Sequence, residues 1–299
     1  MEEDKKKKVL EAFTLCCRGR LVTFERPAIL GILNVTEDSF YDGGRYTTTE
    51  AIVAQARNLL SQGADIIDVG AVSSRPGAQL LSPGEEAARL EPVVRMLRKE
   101  LDDEALLSVD TCFSLPAAKA VEAGADIVND ISGGQFDPQM FSTVAALQVP
   151  YILMHTKWRP DTMQNPENTR YDDIIGDLTL YFSEKLDSLL RLGVKDIILD
   201  PGFGFAKTVE QNYELLDRLD ELVDLFPERP LLAALSNKSM ISKRLSGLSA
   251  EAPAACGGLP PTEYGTLVLN AIALDRGARL LRVHTPYPSR VAIEVRIKN

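Results

Sequence analysis

The sequence predicts an α/β chain closed as one (β/α)8 barrel, the TIM-barrel architecture, with an N-terminal β-hairpin ahead of it. Three observations carry that prediction. From residue 28 onward, eight short apolar runs alternate with longer segments of helical hydrophobic spacing. Each run stops at an amide or ionisable residue. No Gly/Pro/Ser-rich linker splits the chain into halves, so residues 1–27 read as a charged tail plus hairpin, and residues 28–299 as a single barrel domain.

The elements follow in order. Apolar stretches at 13–16 and 21–24 flank Arg18-Gly19-Arg20, a hairpin pattern. Residues 28–33 form the first barrel strand. Residues 49–61 carry Ile52, Val53, Ala56, Leu59 and Leu60 at helical spacing. Strand 65–70 comes next. Ser82-Pro-Gly-Glu85 is a capping box with proline at the first helical position, and its helix runs to about residue 99. Strand 106–110 precedes a short helix through 121. Strand 125–129 follows, and Asp137-Pro138 opens the next helix. Strand 149–155 leads by a loop to a long helix over 171–192. Strand 196–200 is followed by a helix capped by Thr208-Val-Glu-Gln211. Strands 231–235 and 279–284 complete the eight, with a final helix from 289. The chain is longer than the roughly 250 residues typical of the fold. The hairpin and the Gly/Ala/Pro-rich seventh connection, 246–264, absorb the excess, and that connection is expected to be mobile. A doubly wound open sheet is the alternative, but the first strand is not followed by its Gly-x-Gly-x-x-Gly turn.

Composition narrows the function classes. A 299-residue chain that is 45% hydrophobic can bury a large core, and its net charge of −10 argues against a general nucleic-acid binder. No apolar run approaches the roughly 18 residues of a membrane span. The charges of Met1-Glu-Glu-Asp-Lys-Lys-Lys-Lys8 precede no apolar stretch, as a secretory signal would require. Cys16, Cys17, Cys112 and Cys256 show neither a zinc spacing nor a disulfide framework. The expectation is a cytoplasmic protein with small-molecule substrates.

The strand ends supply the chemistry. In a barrel the C-terminal ends converge on one mouth. Those ends hold Asn34, Asp68, Asp110, Asn129, His155, Asp200, Ser236 with Lys238, and Arg282 with His284. One such residue is a turn former; eight in a row make a site. Asn34 opens an eleven-residue loop that also holds Thr36, Asp38, Ser39 and Asp42. Asp110 and Asp200 are acceptors suited to a ring rich in N–H donors. Arg75, Arg282 and His284 suit a phosphate or pyrophosphate. Asp200-Pro-Gly-Phe-Gly-Phe-Ala-Lys-Thr208 lacks the spacing of a phosphate-cradling loop. Its glycines instead suit a tight turn that turns Phe203 or Phe205 toward an aromatic ligand.

In chain order, Asn34-Val-Thr-Glu-Asp-Ser-Phe, Ser74-Arg-Pro-Gly77, Ser108-Val-Asp-Thr111, Asn129-Asp-Ile131, Asp200-Pro-Gly-Phe-Gly-Phe205, Ser236-Asn-Lys-Ser239 and Arg282-Val-His284 resemble the dihydropteroate synthase family over nearly the whole chain. The resemblance implies a pterin-binding barrel, a homodimer, that joins p-aminobenzoate to 6-hydroxymethyl-7,8-dihydropterin diphosphate with Mg2+. It implies that Asp110, Asn129, Asp200 and Lys238 hold the pterin, with Asp110, Asp200 and Lys238 catalytic. It places Asn34 on Mg2+, Arg75, Arg282 and His284 on the anion, and Ser74, Pro76, Phe205 and Ser236 around the aminobenzoate. Departures from the family pattern stand at Glu37, Ala71, Val72, Ser74, Asn237 and Thr285. They leave a non-catalytic pterin-binding barrel as one alternative; a corrinoid-linked methyltetrahydrofolate methyltransferase is another.

Overall fold

The computed structural model describes residues 12–35, 47–71, 81–157, 162, 165–247 and 260–296. Strands β1 (Phe13–Cys17) and β2 (Arg20–Phe24) pair antiparallel, Cys17 opposite Arg20. Arg18 and Gly19 both have positive φ, 51° and 78°, the two-residue turn whose twist matches a hairpin. On β1, Phe13, Leu15 and Cys17 point to one side and are buried.

Eight parallel strands follow: β3 (Ala28–Asn34), β4 (Ile66–Gly70), β5 (Leu106–Asp110), β6 (Ile127–Asp130), β7 (Tyr151–Met154), β8 (Ile197–Asp200), β9 (Leu232–Ala233) and β10 (Leu280–Val283). The hydrogen-bonded order is β8-β7-β6-β5-β4-β3-β10-β9, and a bridge between Leu199 and Leu231 joins the two ends. The expected (β/α)8 barrel and its hairpin are both present. Helices α1 (Thr47–Ser61), α2 (Pro83–Glu100), α3 (Ser114–Ala123), α4 (Met140–Leu147), α5 (Ile174–Arg191), α6 (Val209–Asp217), α7 (Leu219–Leu225), α8 (Ser239–Arg244), α9 (Pro261–Asp275) and α10 (Pro286–Arg296) connect and flank the strands. No helix among the described residues is long and apolar enough to cross a membrane.

Alternation along each strand sorts the core into two compartments. Outward residues such as Ile67, Val69, Leu107, Val109 and Leu281 pack with the helices. Inward, the strands build a lower apolar ring from Leu30, Ile66, Leu106, Ile127, Ile152, Ile198, Leu232 and Leu280, with Ala28 and Ala234 packed in the same cluster. Phe13, Leu15 and Cys17 join this ring, so the hairpin plugs the floor of the barrel. Three aspartates just before strands tie that floor together through backbone N–H groups. Asp65 accepts from Ile29 (2.8 Å), Asp126 from Leu107 (2.8 Å) and Asp196 from Cys16 of the hairpin (2.7 Å).

Both capping boxes form as read, at Ser82 with Glu85 and at Thr208 with Gln211. The aspartate of Asp137-Pro138 accepts from Gln139 N at the next helix, and its other oxygen accepts from Ser114 N and Oγ, capping α3 as well. Two helix starts differ most from expectation. The long helix starts at Ile174, because Asp173 takes the N-cap and accepts from Ile175 N. The last helix starts at Pro286, three residues early, since proline suits a first turn that needs no N–H donor. The centre of the seventh connection lies outside the described residues.

Truncating the plug is the test of this packing. Leu15 is 2% exposed; Leu15→Ala should lower stability by about 2–5 kcal/mol in urea unfolding and leave a folded barrel.

Candidate active site

One step above the apolar ring, the inward positions are Ile32, Asp68, Ser108, Asn129, Met154, Asp200, Ala234 and Arg282. Above those, Asn34, Asp110, Ser236 and His284 reach the rim. The strand registers fix this: Gly70 lies opposite Asp110, Asp110 opposite Asn129, and Met154 opposite Asp200. A polar layer therefore rests on a greasy one, at the mouth where the loops converge.

At its centre Arg282 bridges two carboxylates. Its Nε donates to Asp68 Oδ2 and its Nη2 to Asp110 Oδ2, each at 2.6 Å. Asn129 Nδ2 donates to the same Asp68 oxygen at 3.1 Å. Burial pushes the Asp110 carboxyl up to about 7 against the downward pull of Arg282. Burial also raises Asp200, whose Oδ1 accepts from Gly202 N at 2.8 Å. Lys238 caps α8 and holds its ammonium 4.4 Å above the Phe205 ring; burial pulls its pKa down to about 8. His284 is exposed at the rim, with Nδ1 2.9 Å from Ser236 Oγ. Asp110, Asn129, Asp200, Phe205, Ser236, Lys238, Arg282 and His284 are thus brought to one mouth. Asn34 joins them: a Cβ on Gly70 would lie 3.5 Å from Asn34 Oδ1 and 3.6 Å from Asp110 Cβ. Ser74, Arg75, Pro76 and the loop with Thr36, Asp38, Ser39 and Asp42 lie outside the described residues.

One expectation fails on strand parity. Met154 points inward, so His155 points out and is 1% exposed; its Nδ1 lies 3.0 Å from the Lys207 amine. Phe203 is fully buried among the helices, so only Phe205 borders the mouth. Lys207, 2% exposed, donates to the carbonyls of Gly202 (3.0 Å) and Phe205 (3.2 Å), and burial takes its pKa down to about 7. That amine sets the shape of the loop carrying Phe205. Gly202 is required there: its φ is +71°, and a Cβ would come within 2.1 Å of His155 O.

The match to known proteins is extensive. The pterin-binding enzyme family matches residues 30–284. A dihydropteroate synthase of Synechocystis sp. is 42% identical over 264 residues, covering 87% of this chain and 86% of its own. The chain belongs to the dihydropteroate synthase family of pterin-binding enzymes. Among solved structures, the Yersinia pestis dihydropteroate synthase with a sulfonamide drug superposes with a TM-score of 0.81 at 35% identity, covering 95% of this chain and 97% of that one. The Xanthomonas albilineans enzyme with 4-aminobenzoic acid gives 0.79 at 36%, covering 94% and 96%.

The departures from the dihydropteroate synthase pattern at Asn237 and Thr285 meet on one group. Asn237 Nδ2 donates to Glu263 Oε1 at 3.0 Å, and Thr285 Oγ1 donates to the same oxygen at 3.4 Å. Asn237 also holds a left-handed φ of 55°, which asparagine tolerates better than most residues. Val72 is outside the described residues.

The family motifs do not mark Glu86. It follows the Ser82 capping box and reads as an ordinary helix-start charge, yet it is 5% exposed and bonded to the Thr111 side chain. Burial, with Asp110 and Asp130 nearby, pushes it up to about 7 from 4.5. The folded-state value is the higher one. Between 4.5 and 7 the unfolded chain therefore ionises first, and stability falls as pH rises. Glu86→Gln should remove that fall. Urea midpoints of variant and wild type should coincide near the usual carboxylate range and separate by about pH 8, the variant more stable by up to about 3 kcal/mol.

Proposed function

We propose that this protein is a cytoplasmic, homodimeric, Mg2+-dependent dihydropteroate synthase (EC 2.5.1.15). It joins p-aminobenzoate to 6-hydroxymethyl-7,8-dihydropterin diphosphate and releases pyrophosphate. The observation that carries this is that one mouth gathers both kinds of group: acceptor oxygens of Asp110 and Asp200, and the cations of Arg282 and Lys238 with His284 at the rim. A pterin diphosphate presents N–H donors at one end and anionic oxygens at the other, and the mouth holds partners for both.

The chemistry follows from that polarity. The CH2–O bond breaks with its electron pair leaving on the diphosphate, so positive charge develops on the methylene and negative charge on the leaving oxygen. Asp110 and Asp200 orient the ring and stabilise the first, Arg282 and His284 the second. The arylamine lone pair then forms the C–N bond, and the nitrogen releases its proton. No covalent enzyme nucleophile takes part. Phe205 offers an aromatic face with Lys238 stacked on it, a wall for the ring. Ser74, Arg75 and Pro76 would complete the anion and aminobenzoate sides.

Asn34 fits one ligand position of Mg2+, which takes hard oxygen donors and keeps most of its shell as water and substrate phosphate. Bound there with the diphosphate, the ion would neutralise charge on the leaving group. Self-association is supported by apolar side chains on two packed helices: Tyr264 and Val268 on α9, and Tyr287, Val291 and Val295 on α10, all at least 41% exposed. Light scattering should then give about twice the 32.8 kDa chain mass.

The direct test supplies the dihydropterin diphosphate, p-aminobenzoate and Mg2+ and follows dihydropteroate. Turnover that stops with EDTA, while bare hydroxymethyl-pterin still binds, is the expected result; pterin binding without turnover would make the barrel non-catalytic. Asp200→Asn places an amide donor against the donor-rich ring. It should weaken pterin binding in calorimetry by at least about tenfold, the upper part of the range for a mismatched buried pair. Unaltered affinity would remove Asp200 from the site.

A further inference from the structure

Asp68 is the one fully buried carboxylate of the polar layer, with 0% exposure on strand β4. Its Oδ2 takes both the Arg282 Nε and the Asn129 amide, while its Oδ1 has no hydrogen-bond partner among the described residues. Ser108, its register partner on β5, has an unpartnered Oγ as well. The Arg282 contacts have an unusual division. Nε and Nη2 form one edge of the guanidinium, the pair of parallel donors that ordinarily closes on both oxygens of a single carboxylate. Here each donor of that edge goes to a different residue, one to Asp68 and one to Asp110.

We propose that Asp68 is a positioning residue: it keeps the Arg282 guanidinium from closing bidentately on Asp110, so that the Asp110 carboxylate can be given over to the pterin. This rests on the dihydropteroate synthase reading above. Asp68 lies at the inward position below Gly70, is fully buried, and is held by Arg282 and Asn129. It acts through the residues that do touch ligand. When the ring takes the Asp110 oxygens, Arg282 loses one charged partner and retains the other. A guanidinium left with Asp110 alone would cover the acceptor that the substrate needs, and the ligand would have to displace a two-bond ion pair to enter.

A double-mutant cycle separates this role from plain support of the barrel. Asp68→Asn keeps the shape and removes the charge. In the wild-type background it should weaken binding of bare hydroxymethyl-pterin in calorimetry by at least about tenfold. In an Arg282→Met background, where no guanidinium can cover Asp110, the same substitution should change affinity by less than about threefold. Equal losses in both backgrounds would overturn the proposal. KM for p-aminobenzoate should stay within about threefold of wild type, because the aminobenzoate wall is not held by Asp68. If Asp68→Asn does not fold alone, its thermal midpoint with Arg282→Met decides. Recovery there shows coupling through the guanidinium, and failure there as well assigns Asp68 to the barrel and sinks the proposal. Wild type that fails to bind the pterin would instead defeat the functional reading, and this one with it. Binding by the wild type with a background-independent loss defeats only the role of Asp68.

Discussion

The interior of the barrel can hold only one side chain in two from each strand, and everything else in the molecule depends on that restriction. Eight strands converge, and the inward residues of all eight fall into levels. The lower level is entirely aliphatic and sealed by the hairpin. The level above holds Asp68, Ser108, Asn129, Asp200 and Arg282. Water is excluded from below, so the carboxylates and cations of the upper level meet each other in a medium that strengthens their interaction. The displaced pKa values of Asp110, Asp200 and Lys238 are the signature of that placement.

The same residue type does opposite work at the two ends of the strands. Asp65, Asp126 and Asp196, ahead of their strands, accept backbone N–H groups and lock the floor. Asp110 and Asp200, after theirs, face the mouth. Between the two sits a second use of buried charge. Among the described residues Lys207 has no carboxylate hydrogen-bond partner and is held by carbonyl oxygens and an imidazole. Its hydrogen bonds to Gly202 and Phe205 hold the loop that carries Phe205.

The fold was legible because hydrophobic alternation is a local property. The runs at 28–33, 65–70 and 106–110 declare themselves as strands without knowledge of their neighbours. The site was legible in outline for a related reason: strand ends in a barrel share one face, so listing them assembles the mouth. What failed was direction. His155 and Met154 sit side by side at one strand end, and only the pairing register shows which of them faces inward. Phe203 and Phe205 differ in the same way, through a turn whose φ values no spacing reveals. Asp68 was visible as a strand-end residue, but its grip on Arg282 joins positions 68 and 282, and no local pattern spans that distance. Glu86 was hidden by a capping box that explains an acidic residue without asking which way it points.

Closure of the barrel also imposes an order on synthesis. Strand β3 pairs with β10, Ala28 opposite Leu280, so the first barrel strand finds one of its two neighbours only when almost the whole chain exists. Until then two buried carboxylates, Asp68 and Asp110, stand on adjacent strands without the guanidinium that neutralises both. Any partial barrel that buried these carboxylates before the last strand arrived would carry an electrostatic penalty at its centre. Partial barrels are disfavoured for this reason as well as for their open edges, and folding is tied to completion of the polypeptide.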